Sequence, residues 1–145
     1  VRYSPFLSGM TKLKTILVIE DDDVQRELMR MTLEKRGYSV STAEDGIKGY
    51  DRALNVPPDL IVTDISMPGA DGIHVVRRVR DTPELAETPI LVTTGFGTGM
   101  AAFSLAEGAN GYERKPLNPD SLAASVKRLL AQPRKKRPQR EVHRG

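Results

Sequence analysis

The chain has 145 residues, 39% of them hydrophobic, which is enough for one domain with a sizeable buried core. It has no cysteine, excluding disulfides, zinc-thiolate sites and thiol nucleophiles, and it has no apolar run of membrane-spanning length and no signal peptide, so a cytoplasmic protein is expected. Its net charge of +3 is uneven: residues 131–145 hold six basic side chains against the single acid Glu141, a net +5, while the other 130 residues hold 16 basic and 18 acidic side chains, a net −2. The basic character belongs to a tail, so a nucleic-acid-binding reading of the whole domain loses its main support.

Residues 1–12 carry Ser4-Pro5 and Ser8-Gly9 breakers without periodicity, and Met10 offers a natural start. They are set aside as a disordered leader or a remnant of expression. From Thr15 a regular alternation begins. Ile16-Leu17-Val18-Ile19 is a buried strand, followed by a helix with Val24, Leu28 and Met31 on one face and Gly37 as its stop. Tyr38 to Ala43 predicts a second strand, and Ile47, Tyr50 and Leu54 at i, i+3 and i+7 predict the next helix, ended by Pro57-Pro58. Leu60-Ile61-Val62-Thr63 is a third strand, and 72–81 a helix facing inward through Ile73, Val76 and Val79. Ile90-Leu91-Val92-Thr93 is a fourth strand, followed by a weaker helix with Phe103 and Ala106, then a short strand at 111–113. Asn118 caps a last helix, with Pro119 at its first position and Leu122, Val126 and Leu129 inward. The tail from Pro133 is expected to be disordered.

Five strand–helix units with continuous apolar strands predict an α/β fold, a doubly wound parallel sheet covered by helices on both faces. Such sheets bind ligands beyond the carboxyl ends of their strands. The residues there are Glu20, Asp21 and Asp22 after the first strand, Asp64 at the third, Thr94 at the fourth and Lys115-Pro116 at the fifth. Carboxylates brought together repel one another, and a hard divalent cation relieves the conflict. With oxygen ligands and no suitably placed Cys or His, Mg²⁺ is favoured over zinc. Asp22 and Asp23 have a simpler explanation as helix-start acids, which does not account for Asp21 and Asp64 meeting at one edge. Gly95-Phe96-Gly97-Thr98-Gly99 imitates a dinucleotide loop, but the third glycine would fall on Met100, so a plain loop is expected. His74 lies in a helix without ligand partners at useful spacing.

The motifs Ile16 to Asp21, Pro58 to Asp64, Met67-Pro68-Gly69, Asp71-Gly72, Pro89 to Gly95 and Gly108 to Pro116, in that order, resemble the receiver domain of bacterial response regulators, the CheY-like family, over about residues 14–131. The resemblance implies a flavodoxin-like sheet of order 2-1-3-4-5 with five helices, occupying 13–132 between the leader and the basic tail 133–145. It implies that Asp64 accepts a phosphoryl group from a histidine kinase or histidine phosphotransfer protein, in a Mg²⁺-dependent reaction. Asp21, Glu20, Asp64 and the backbone carbonyl of Ser66 would hold the metal. Lys115 and Thr94 would contact phosphoryl oxygens, and Tyr112 would report the event by moving inward. The implied role is a two-component signalling switch rather than an enzyme. Its output protein would bind the face of the fourth helix, fifth strand and fifth helix. The spacing from Thr94 to Lys115 is one residue shorter than in typical members, which alters the loop of that face. No DNA-binding output domain fits within the tail, although a receiver cut from a longer regulator would look the same. A Mg²⁺-dependent phosphatase of the haloacid-dehalogenase type would need a second Asp two places after Asp64, where Ser66 stands.

Overall fold

The computed structural model describes residues 12–66, 72–95 and 98–134. The leader to residue 11, Met67-Pro68-Gly69 and Asp71 of the motifs, Phe96, Gly97 and the tail from 135 lie outside the described residues. The elements alternate as β1 (Thr15–Ile19), α1 (Asp23–Lys35), β2 (Ser39–Ala43), α2 (Gly46–Asn55), β3 (Leu60–Asp64), α3 (Gly72–Asp81), β4 (Ile90–Thr94), α4 (Thr98–Glu107), β5 (Gly111–Arg114) and α5 (Pro119–Ala131). All strand pairs are parallel, in the order β2-β1-β3-β4-β5, the flavodoxin-like arrangement.

Strand side chains alternate between two cores. Ile16, Val18, Leu60, Val62 and Leu91 pack with Met29 and Leu33 of α1 and Leu122, Val126 and Leu129 of α5. Leu17, Ile19, Ile61, Ile90 and Val92 pack against α2 and α3 on the opposite face. Each such side chain taken fully out of water contributes about 1.5–3 kcal/mol. The three inner strands β1, β3 and β4 are thus apolar through their middles, and β3 and β4 keep their polar residues at the carboxyl ends.

Local signals end the helices as anticipated at several points. Gly37 has φ 94°, donates its N–H to Glu34 O, and is followed by Tyr38 N–H to Leu33 O, the paired bonds of a Schellman stop. Asn118 accepts from Ser121 N at 3.0 Å, with Pro119 opening α5. Asp45 caps α2 in the same way, accepting from Lys48 N at 2.8 Å.

Three helices turn inward a face other than the apolar one that marks them in the sequence. On α1, Val24 (68% exposed), Leu28 and Met31 face solvent, and Met29 and Leu33 are buried. The helix carries two apolar stripes about 150° apart, and the sheet takes the one whose Leu33 is tied to the turn after the helix. On α2, Ile47 and Leu54 are exposed, while Gly46, Gly49, Tyr50 and Ala53 are inward. A Cβ on Gly49 would lie 2.4 Å from Ile19 Cδ1, so the small residues let the helix approach β1 closely. On α4, Phe103 and Ala106 are exposed, and Ala101 and Ser104 are buried, with Ser104 Oγ donating to Ala101 O. Phe103 instead lies under the Arg77 guanidinium, 5.8 Å from ring centre to carbon. The expected inner faces of α3 and α5 are buried.

Gly72 opens α3 directly against the strand end that carries Asp64. A Cβ there would fall 2.2 Å from Asp64 O and 2.5 Å from Ile65 Cα, both backbone atoms that cannot swing aside. Gly72→Ala should therefore destabilise the fold by about 1–3 kcal/mol, as overpacking does. Urea denaturation should show a lower midpoint; an unchanged midpoint would mean that α3 is free to shift.

Candidate functional site

Asp64 ends β3, and Glu20 follows β1, the neighbouring strand on one side. Both carboxylates are buried, Glu20 at 0% and Asp64 at 4% exposure. Asp21 is exposed beside them. One carboxylate oxygen from each of these three residues lies within 4.8 Å of the others, the one cluster of three or more metal-ligating side chains among the described residues. All three donors are hard oxygens, with no nitrogen or sulfur, so the set fits a hard divalent cation.

Lys115 follows β5, and its Nζ donates to Glu20 Oε1 at 2.8 Å and to Asp64 Oδ2 at 3.0 Å. It precedes a cis peptide bond to Pro116. Backbone donors complete the frame. Ser66 N–H reaches Asp64 Oδ1 at 2.9 Å, and Asp22 N–H reaches Glu20 Oε2 at 3.2 Å. Arg26, one turn into α1, holds the chain at this point through Glu20 O at 2.8 Å. Each oxygen of the Asp64 carboxylate is thus engaged by a different donor, which fixes its plane.

Burial pushes the Glu20 carboxyl up to about 7, reinforced by Asp21 and Asp64 and opposed by Lys115 and the Asp22 N–H. Burial works against the Lys115 charge too, but the bonds to Glu20 and Asp64 outweigh it and raise its pKa. The pair points one way. The ammonium is firmly charged, while Glu20, out of water and beside two other acids, gives up its proton late.

The residues singled out in the sequence divide by position. Glu20, Asp21, Asp64 and Lys115 come together at one sheet edge. Asp22 instead caps α1, accepting from Gln25 N at 2.8 Å, and Asp23 pairs with Arg26 in the first turn. Thr94 is buried at the end of β4, and its carbonyl accepts from Lys115 N at 2.8 Å. Tyr112 sits one strand over at 38% exposure, the outward position. His74 lies on the exposed side of α3. Sequence reasoning missed the backbone donors of Ser66 and Asp22, since an N–H carries no residue signature. It also missed Thr93, which is the register partner of Asp64.

Residues 16–127 match the response regulator receiver domain family. The chain is 37% identical over 116 residues to the DNA-binding dual master transcriptional regulator RpaA of Synechocystis sp., covering 79% of this chain and 48% of that protein. It is 39% identical over 116 residues to the response regulator MprA of Mycobacterium sp., covering 79% and 50%. It thus spans about half the length of these relatives. The structure of the Vibrio cholerae chemotaxis protein CheY4 superposes with a TM-score of 0.77 at 31% identity, covering 81% of this chain and 99% of that one. The chain belongs to the response regulator receiver domains of two-component systems, a signalling family. Among the described residues, no helix is long and apolar enough to cross a membrane.

The raised Glu20 pKa makes the metal-free protein sensitive to pH. An ordinary Glu in the unfolded chain titrates near 4.5, against about 7 in the fold, so the folded state holds an extra proton between those values. That contribution is complete below pH 4.5 and is lost as pH rises through 7. In EDTA, the melting temperature should fall by several degrees between pH 5 and pH 7.5, and Glu20→Gln should flatten this part of the profile. A Glu20→Gln profile as steep as the parent's would place the titration elsewhere.

Proposed function

We propose that Asp64 is the phosphoacceptor of a two-component signalling switch, taking its phosphoryl group from the phosphohistidine of a histidine kinase or histidine phosphotransfer protein. The observation that carries this reading is the Asp64 carboxylate held at 3.0 Å from the Lys115 ammonium beside Glu20 and Asp21. One Asp64 oxygen forms the new P–O bond as the donor's P–N bond breaks, and the departing imidazole keeps its electron pair and takes up a proton. Phosphoryl transfer of this kind needs charge neutralisation and alignment more than covalent assistance. Lys115 supplies a fixed positive charge to the phosphoryl oxygens, and the Ser66 N–H keeps Asp64 from rotating away from the approaching donor. Glu20, Asp21, Asp64 and the Ser66 carbonyl would hold Mg²⁺, which supplies further neutralisation of the phosphoryl oxygens when bound.

With acetyl phosphate and Mg²⁺, intact mass should rise by one phosphoryl group, the gain being lost at alkaline pH and absent in Asp64→Asn. An equal gain in Asp64→Asn would overturn the assignment. Asp21→Asn should remove most of the Mg²⁺ affinity, read by fluorescence or NMR titration. Asp22→Asn should change it little, because Asn caps a helix as well as Asp does. Equal losses would mean that the ligand set is drawn wrongly.

The output follows from two neighbouring strands. A phosphoryl group adds between one and two negative charges and strong acceptors at the end of β3. The Thr94 hydroxyl moves toward them, vacating space that Tyr112 fills by turning inward, and the output protein binds the face of α4, β5 and α5 in that state. Thr94→Ala should leave Asp64 phosphorylatable but abolish the chemical-shift response of Tyr112; an undiminished response would refute this route. The half-length match to RpaA and MprA supports a second setting, in which the receiver controls an output domain, DNA-binding in the case of RpaA. The 99% coverage of CheY4 takes in a whole receiver domain, the part common to both settings.

A further inference from the structure

Thr93 carries a buried hydroxyl that the site described so far does not use. It is 0% exposed, and its Oγ1 has no hydrogen-bond partner among the described residues. A buried hydroxyl left without a partner costs free energy, and evolution could remove it with an isosteric valine. Its place in the sheet is specific. Thr93 pairs with Asp64 on one side and Glu113 on the other. In parallel strands, register partners point to the same face, so Asp64, Thr93 and Glu113 form one lateral row. That face is the one covered by α1 and α5, because Leu91, two residues before Thr93, packs there. Glu113 ends the row in a clasp on α5: its Oε1 accepts from Ser121 Oγ at 2.6 Å and its Oε2 from Ser125 Oγ at 2.9 Å.

We propose that Thr93 and Glu113 form a second route, on the α1–α5 face of the sheet, by which the state of Asp64 is passed to α5. This rests on Asp64 being the phosphoacceptor. Neighbouring strands lie about 4.8 Å apart, so Thr93 is the lateral neighbour of both Asp64 and Glu113 in the row. A hydroxyl proton rotates to suit its surroundings. Without a phosphoryl group, Thr93 Oγ1 makes no bond. The added phosphoryl oxygens give it a strong acceptor, and it donates toward β3. Its own oxygen then faces β5, where Glu113 also presents acceptors. The two repel, and Glu113 leans harder on the Ser121 and Ser125 hydroxyls, tightening α5 against the sheet. The Thr94–Tyr112 pair acts on the opposite face, through alternate residues of the same two strands, so the two routes are separable.

The test compares the parent with Thr93→Val and Thr93→Ser, using beryllium fluoride with Mg²⁺ as the phosphoryl mimic and amide NMR as the readout. In the parent, the Ser121 and Ser125 amides should shift on addition of the mimic. Thr93→Val should lose those shifts while keeping the Tyr112 response, and should bind the mimic about tenfold more weakly, the worth of a hydrogen bond to a charged group. Its melting temperature should hold or rise, since the valine removes an unpaired hydroxyl. Thr93→Ser should restore the α5 shifts. Glu113→Gln should weaken them while leaving mimic affinity unchanged. If Thr93→Val keeps the Ser121 and Ser125 shifts, the second route is overturned. If the parent gains no phosphoryl group from acetyl phosphate by intact mass, the phosphoacceptor reading fails and this route with it.

Discussion

One ammonium group holds two buried carboxylates in place. Glu20 follows one strand and Asp64 ends its neighbour, both are buried, and their charges would drive them apart in a low-dielectric setting. Lys115 bridges them at 2.8 and 3.0 Å, coming from a third strand 95 and 51 positions away in the chain. The three charged groups are therefore held in tension. A proton on Glu20 relieves part of it. A surface cluster of the same acids would have water to screen it and little reason to respond to a ligand.

The sheet makes that tension possible. The inner strands β1, β3 and β4, apolar through their middles, leave the carboxyl edge for buried polar groups, and the order β2-β1-β3-β4-β5 brings the ends carrying Glu20, Asp64 and Lys115 together. The opposite edge is closed by polar ties of a different kind. Asp59 accepts from Thr15 N at 2.8 Å, and Arg80 binds Gly108 O, Thr88 O and Asn110 Oδ1. Asn110 Oδ1 also accepts from Ile90 N. These bonds fix where β1, β4 and β5 begin, so they indirectly set the height at which Glu20, Thr94 and Lys115 emerge.

Much of this was legible in the sequence, and the gaps have physical causes. Strand ends were readable because an apolar run stopping at an acid, as at Ile19-Glu20 or Thr63-Asp64, is a sharp boundary. The acids and Lys115 were readable as a set because the fold class brings such ends together. Helix faces were less readable. Hydrophobicity favours Ile47 and Leu54 over Gly49 and Ala53, yet the helix that must lie close to β1 needs the smaller residues inward. Val24 and Leu28 lost to Met29 and Leu33 because two apolar stripes of similar strength compete on α1, and contact with the sheet decides between them. Thr93 was hidden in a strand run that reads as buried and inert. Only pairing it with Asp64 and Glu113 gives its hydroxyl meaning.

The close seating of α2 and α4 through small residues has a consequence for how such a chain tolerates mutation. Hydrophobicity usually marks the positions that cannot change, but here the scale is partly inverted. On α2, a single methyl at Gly49 meets the Ile19 side chain, whereas Leu54 stands largely in water. On α4, the buried contacts are Ala101 and Ser104, and the largest side chain, Phe103, lies outside. Ile47, Leu54 and Phe103 are therefore held less tightly by the core than Gly49, Ala53, Ala101 and Ser104 beneath them, while Tyr50 stays buried. Outward surfaces can be rewritten by substitution while the distance between helix and sheet, and with it the geometry of the acidic edge, stays as it is.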